Sequence, residues 1–142
     1  VLYELCRVNH TNFALVHFAK NTKTDFFQKD EPVPGERLMS CAETFLSGGT
    51  SFDNAVKAAL DAAAKMDKPD IVFITDGECS LSDNMQTELE KFKAGTGAKL
   101  TGILLDKGSC FEFSLARFSD KVYRTSELLK ETIAEKLIEE GV

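Results

Sequence analysis

No uninterrupted apolar run in these 142 residues approaches the roughly 20 residues that cross a bilayer as a helix. Basic charge is also scarce. Seventeen Lys and Arg stand against 23 Asp and Glu, a net charge of −6. A phosphate backbone is bound by a basic face, so nucleic acid is a poor partner for this chain. The opening VLYELCRVNH has no basic leader and no small-residue cleavage site, so it does not read as a signal peptide. The four cysteines stand at 6, 41, 79 and 110, with no CxxC pair and no histidines spaced to join them. That pattern argues against zinc. Cys6 and Cys41 fall on apolar helix faces and are expected to be small buried hydrophobes, reduced as in a cytoplasmic protein. No serine, cysteine or lysine is visibly paired with a histidine, so the chain is not expected to be an enzyme of the nucleophilic kind.

What is present suits one soluble domain. The length allows one core and is short for two. Residues 1–9 read as helix, with Leu2, Leu5 and Cys6 on one face. NFALVHFAK (12–20) and TDFFQ (24–28) read as strands joined by the polar turn KNTK, a plausible antiparallel hairpin. After the loop KDEPVPG, residues 36–46 carry Leu38, Ala42, Phe45 and Leu46 at helical spacing. The clearest helix follows, with Phe52, Ala55, Val56, Ala59, Leu60 and Ala63 on one face and Ser51 as N-cap. DIVFIT (70–75) is apolar on both faces, as a central parallel strand should be. Ser82 can cap a helix carrying Met85, Leu89 and Phe92, stopped by Gly95 and Gly97. KLTGILL (99–105) is another strand, 109–118 a short helix, and KVYR (121–124) a short strand. Ser126 caps a last helix with Leu129, Ile133 and Leu137 inward. Strands alternating with helices predict an α/β three-layer sandwich, a mostly parallel, doubly wound, Rossmann-like sheet with one short antiparallel edge strand.

In such sheets ligands bind beyond the carboxyl ends of the strands. Asp76 lies at one such end. The loop SGGTS, with Gly48, Gly49, Thr50 and Ser51, opens a helix and is expected to fold over the same edge. Its glycines let the backbone turn sharply. A carboxylate and a hydroxyl are hard oxygen donors that suit Mg²⁺, Mn²⁺ or Ca²⁺. Each motif also has an ordinary reading: a Gly-Gly-Thr loop that merely starts a helix, and an Asp-Gly that merely turns the chain. Their joint presence at strand ends favours a site. Gly77 and Glu78 would support it, although Glu78 and Cys79 also read as solvated rim residues. His17 shares a strand face with Phe13 and Leu15 and is expected to be half-buried and hydrogen-bonded. His10 is expected to be solvated in a loop.

FLSGGTSFDNAVKAAL followed by PDIVFITDGE resembles the second and third metal motifs of a von Willebrand factor type A (VWA) domain. KLTGILL, FSLARFSDKVYR and the terminal helix agree in order, and NFALVHFAK resembles that family's second strand. The nearest likeness is to the bacterial CoxE- and ViaA-like branch, which works beside MoxR-type AAA+ ATPases. The resemblance implies a metal-ion-dependent adhesion site (MIDAS). Thr50 and Asp76 would be its metal ligands, and a partner protein's carboxylate would complete an Mg²⁺. It implies no catalysis.

The family's first motif, Asp-x-Ser-x-Ser, does not occur in this chain. The strand that carries it is the central one of the family's sheet. Residues 1–142 are therefore expected to be the C-terminal portion of a single VWA-like domain, with the first strand lying before Val1. Two rivals remain open. A receiver-like phosphoryl-transfer domain also has Asp, Thr and Mg²⁺, with Lys107 as the available lysine. However, it needs an acidic pair that is lacking, and its threonine would follow the Asp strand. The other rival is a VWA fold with a degenerate site that holds no metal.

Overall fold

A computed structural model describes residues 2–76, 79–105 and 115–125. The chain divides into two compact units, Val1–Met66 and Asp67–Val142. Both helices and strands are present. One sheet is a parallel three-stranded sheet, the other an antiparallel pair.

The first unit holds α1 (Leu2–Val8), β1 (Phe13–Phe18), β2 (Thr22–Phe27), α2 (Gly35–Glu43) and α3 (Phe52–Ala63). β1 and β2 form the expected hairpin, in register from Phe13 opposite Phe27 to Phe18 opposite Thr22. Successive strand side chains alternate between faces, so Phe13, Leu15 and His17 share one face and Ala14, Val16 and Phe18 the other. Tyr3 of α1 meets the first face, edge-on to Phe13 at 5.8 Å and to Phe27 at 5.3 Å between ring centroids. α2 covers the same face, with the Arg37 guanidinium 4.4 Å from the Phe27 ring centroid. α3 covers the opposite face through Phe52, edge-on to Phe18 at 6.2 Å. Every residue of β1 is partly shielded because both faces are covered.

α2 departs from expectation. It stops at Glu43 because Thr44 turns to extended backbone (ψ 125°), and its N–H bonds back to Cys41 O. Cys41 is buried at 4% exposure, whereas Phe45, beyond the helix end, is 85% exposed. Ala42 is exposed as well. The inward face therefore runs through Leu38 and Cys41, not through Ala42 and Phe45. Cys6 is only half-buried.

The second unit holds β3 (Ile71–Thr75), α4 (Asp83–Thr96), β4 (Leu100–Leu104) and β5 (Lys121–Arg124), with strand order β3-β4-β5, all parallel. β4 is central and wholly buried. β3, although apolar on both faces, lies at the edge of this sheet among the described residues, with Ile74 46% exposed. Ser82 caps α4, accepting from the Met85 N–H, and Gly97 ends it at φ +73°; Gly95 lies inside the helix. Leu89 points inward and is fully buried. Most of the predicted 109–118 helix, Lys107, Cys110 and the predicted helix after Ser126 lie outside the described residues.

Two carboxylates tie the strand starts together. Asp70 Oδ1 accepts from the Lys99 N–H at 3.0 Å. Asp120 Oδ2 accepts from the Leu100 N–H at 2.7 Å and pairs with Lys93 Nζ at 2.9 Å. Burial pushes the Asp120 carboxyl up, but the Leu100 and Lys93 hydrogen bonds outweigh it and hold it below the ordinary aspartate value. A depressed folded value stabilises above the unfolded pKa of about 3.9 and is lost as pH falls through the folded one. Asp120→Asn is therefore expected to cost about 1 kcal/mol at pH 7, discounted for its partial exposure. The gap should shrink as pH drops below about 4. Urea denaturation at pH 7 and pH 3 checks this, and an equal gap at both would contradict it.

Candidate functional site

The first half of the candidate site is the loop that feeds α3. Gly48 and Gly49 both take left-handed backbone, at φ +99° and +103°. A Cβ at either position would meet nothing within 4 Å. Glycine is therefore needed there for backbone freedom, not for space. The loop end is held by three bonds. The Ser51 N–H donates to Ala19 O at 2.8 Å, Asn54 Nδ2 donates to Lys20 O at 2.7 Å, and Ser51 Oγ accepts from the Asn54 N–H at 3.2 Å. Ala19 and Lys20 directly follow β1. Thr50 is thus an exposed residue anchored next to the carboxyl end of β1. Ser51→Ala removes the cap and is expected to cost about 1 kcal/mol. Thermal denaturation of the variant checks this, and an unchanged midpoint would mean the backbone bond to Ala19 suffices.

The second half is Asp76, exposed and next after β3. The Leu105 N–H donates to Thr75 O at 2.8 Å, so the parallel pairing with β4 continues to the residue before Asp76. Gly77 and Glu78 lie outside the described residues. Cys79 is half-buried, and its Sγ reaches Ser80 O at 3.7 Å. Beyond it, Arg117 pairs with Asp83 and donates to Leu81 O at 3.1 Å, fastening the start of α4.

Each half therefore offers a hard oxygen donor beyond the carboxyl end of a strand, Thr50 in the first unit and Asp76 in the second. The donor chemistry fits Mg²⁺ or Mn²⁺. The number does not: one carboxylate and one or two hydroxyls fall short of about six oxygens, unless water and further residues supply the rest. Among the described residues no three His, Cys, Asp or Glu side chains are grouped to hold a metal ion.

Cys41, His17 and His10 are held as follows. Burial pushes the Cys41 thiol up, and its hydrogen bond to Asp25 pushes the same way, so it is not an activated nucleophile. His17 is half-buried as expected, but its Nδ1 is buried without a hydrogen bond. His10 is not merely solvated: its Nδ1 lies 2.5 Å from Asp30 Oδ1. That hydrogen bond is the main cause of a lowered Asp30 carboxyl. The pair joins loops 20 residues apart, and nothing in the sequence announced it. Sequence reasoning also missed Asp70 and Asp120. Their position just before a strand was the available signal.

No helix among the described residues is long and apolar enough to cross a membrane. No family model matches the chain, and no solved structure matches it. Over 110 residues, 78% of its length, the chain is 30% identical to an uncharacterized protein of Methanocaldococcus jannaschii, and the match covers 27% of that protein. The chain thus spans about a quarter of the length of the curated relative it matches.

Proposed function

We propose that the chain is part of a metal-ion-dependent protein-interaction module, a MIDAS-type site on a VWA-like domain, and not an enzyme. In this reading Thr50 and Asp76 are ligands of one hard divalent cation, Mg²⁺ or Mn²⁺ or Ca²⁺. Gly48, Gly49, Ser51, Gly77 and Glu78 shape the loops that carry them. The observation that carries the reading is the anchored glycine loop. Its left-handed turns and its bonds to Ala19 and Lys20 hold a threonine hydroxyl at a strand's carboxyl end. The strand-end position of Asp76 supports it too.

The chain's own residues then act as positioning groups. The Ser51 cap and Asn54 fix the backbone on either side of the ligand loop. β3, paired with buried β4, fixes the start of the Asp76 loop. A bound Mg²⁺ supplies concentrated positive charge and an open coordination position for a partner's carboxylate. The remaining oxygens would come from an Asp-x-Ser-x-Ser segment outside these 142 residues. By resemblance, the partner is a MoxR-type AAA+ ATPase or its client, and the setting is the cytoplasm.

Calorimetric titration of Mg²⁺ into the natural full-length protein, and into its Thr50→Ala and Asp76→Ala variants, tests the proposal. Saturable binding that weakens in both variants is the expected result. If the wild type takes up no metal, the degenerate-site reading replaces it. Stable labelling of Asp76 by acetyl phosphate would instead favour the receiver-like reading.

A further inference from the structure

A cleft in the first unit, away from the Thr50 loop, carries chemistry that the proposed function does not use. It is an open groove of about 600 Å³ lined by Asn12, Phe26, Gln28, Lys29, Glu31, Arg37 and Lys65. That volume lies within the roughly 300–1,000 Å³ of small-molecule sites. The chain as a whole is acidic, at net charge −6, yet three cations and a single carboxylate face this cleft. None of the three cations has a carboxylate partner within salt-bridge distance among the described residues.

The cations are held by other groups. Arg37 Nη2 donates to Phe26 O at 2.8 Å, and its guanidinium stacks on the Phe27 ring. This commits one of five N–H donors and fixes the plane of the fork. Lys65 Nζ lies 5.7 Å from the Phe26 ring centroid, a cation–π distance that positions the ammonium without neutralising it. The loop that carries Lys29 is tied by its own N–H, which donates to Asn12 Oδ1 at 2.7 Å. Lys65 thus sits over the Phe26 ring on one side of β2, Arg37 lies over Phe27 on the other side and reaches the Phe26 carbonyl, and Lys29 lines the same groove. Their charge in excess over Glu31 is two positive units.

We propose that this cleft binds a small phosphate monoester, with the dianion held by Lys29, Arg37 and Lys65 and its organic body against Phe26. A phosphate monoester carries about −1.5 to −2 charge at pH 7, which matches the excess, and a planar guanidinium recognises its oxygens in pairs.

Phenyl phosphate titrated into the 142-residue chain, followed by amide nitrogen–proton NMR, tests this. Saturable shifts confined to residues near 12, 26–31, 37 and 65 are expected, and phenol, which lacks the anion, should produce none. Lys29→Gln and Lys65→Gln, both surface changes, should each weaken binding about fivefold, and the double variant should lose it. Absence of saturable shifts up to about 10 mM, or equal affinity in the double variant, would overturn the proposal.

Discussion

Phe52→Ala is expected to destabilise the protein by about 3–5 kcal/mol, the usual cost of emptying a buried phenyl site. Phe52 is the first residue of α3 and has 0% exposure. Its ring packs edge-on against Phe18, the last residue of β1. The ring therefore couples the helix start to the strand end at the point where the Ser51 N–H bonds to Ala19 O. Deleting it leaves a cavity that Phe18 alone cannot fill, and the edge-to-face contact is lost as well. A domain has only about 5–15 kcal/mol to lose, so the variant forfeits a large share of its stability. Phe52→Leu, which keeps much of the volume, should cost roughly 1.5 kcal/mol or less. Urea denaturation followed by far-UV circular dichroism measures both. Equal, small costs for Ala and Leu would show that the site is not tightly packed.

Asp76→Ala is expected to remove metal binding from the natural full-length protein. The residue is exposed, it follows β3, and it belongs to no described strand or helix. Replacing it disturbs no ladder bond, since the pairing of β3 with β4 closes at Thr75. For the metal, loss of a carboxylate from a hard-oxygen site removes both a ligand and the local negative charge. Thr50→Ala should weaken binding less, because a neutral hydroxyl contributes no charge. That order, with Asp76 costing more than Thr50, separates a metal role from a general loosening of the loops. Asp76→Asn sharpens the test. It keeps shape and hydrogen-bonding capacity, and it should still lose most of the affinity.

Much of the fold was legible in the sequence where the signal is local. The alternation of apolar runs and turn residues marked β1, β2, β3 and β4 to within about two residues. The 3.6-residue period marked α3, and Ser51 and Ser82 both cap as expected. The end of α2 was not legible. Phe45 and Leu46 continue the apolar period, yet the backbone leaves the helix at Thr44 and Phe45 remains in solvent. Periodicity reports which residues could be buried, not where a helix stops. Among the described residues β3 pairs only with β4, and its reading as a central strand rested on a further strand expected before Val1.

The candidate site divides along the same line. The sharp turn that Gly48 and Gly49 allow and the cap at Ser51 are legible from residue type alone. The anchoring of the loop to Ala19 and Lys20 spans more than 30 residues, and nothing in SGGTS announces it. The same holds for the His10–Asp30 pair and for Asp70 and Asp120, whose partners lie 20 to 29 residues away. The Lys29, Arg37 and Lys65 cleft gathers cations from three separate segments. In sequence they read only as scattered surface charge.

The decisive experiment is a Mn²⁺ titration of the natural full-length protein, with the free ion followed by electron paramagnetic resonance. A single saturable site that Mg²⁺ displaces, weakened in Thr50→Ala and lost in Asp76→Ala, is the outcome expected of a metal-dependent interaction module. Free Mn²⁺ that rises in step with added metal in the wild type, or binding that both variants retain unchanged, would contradict it.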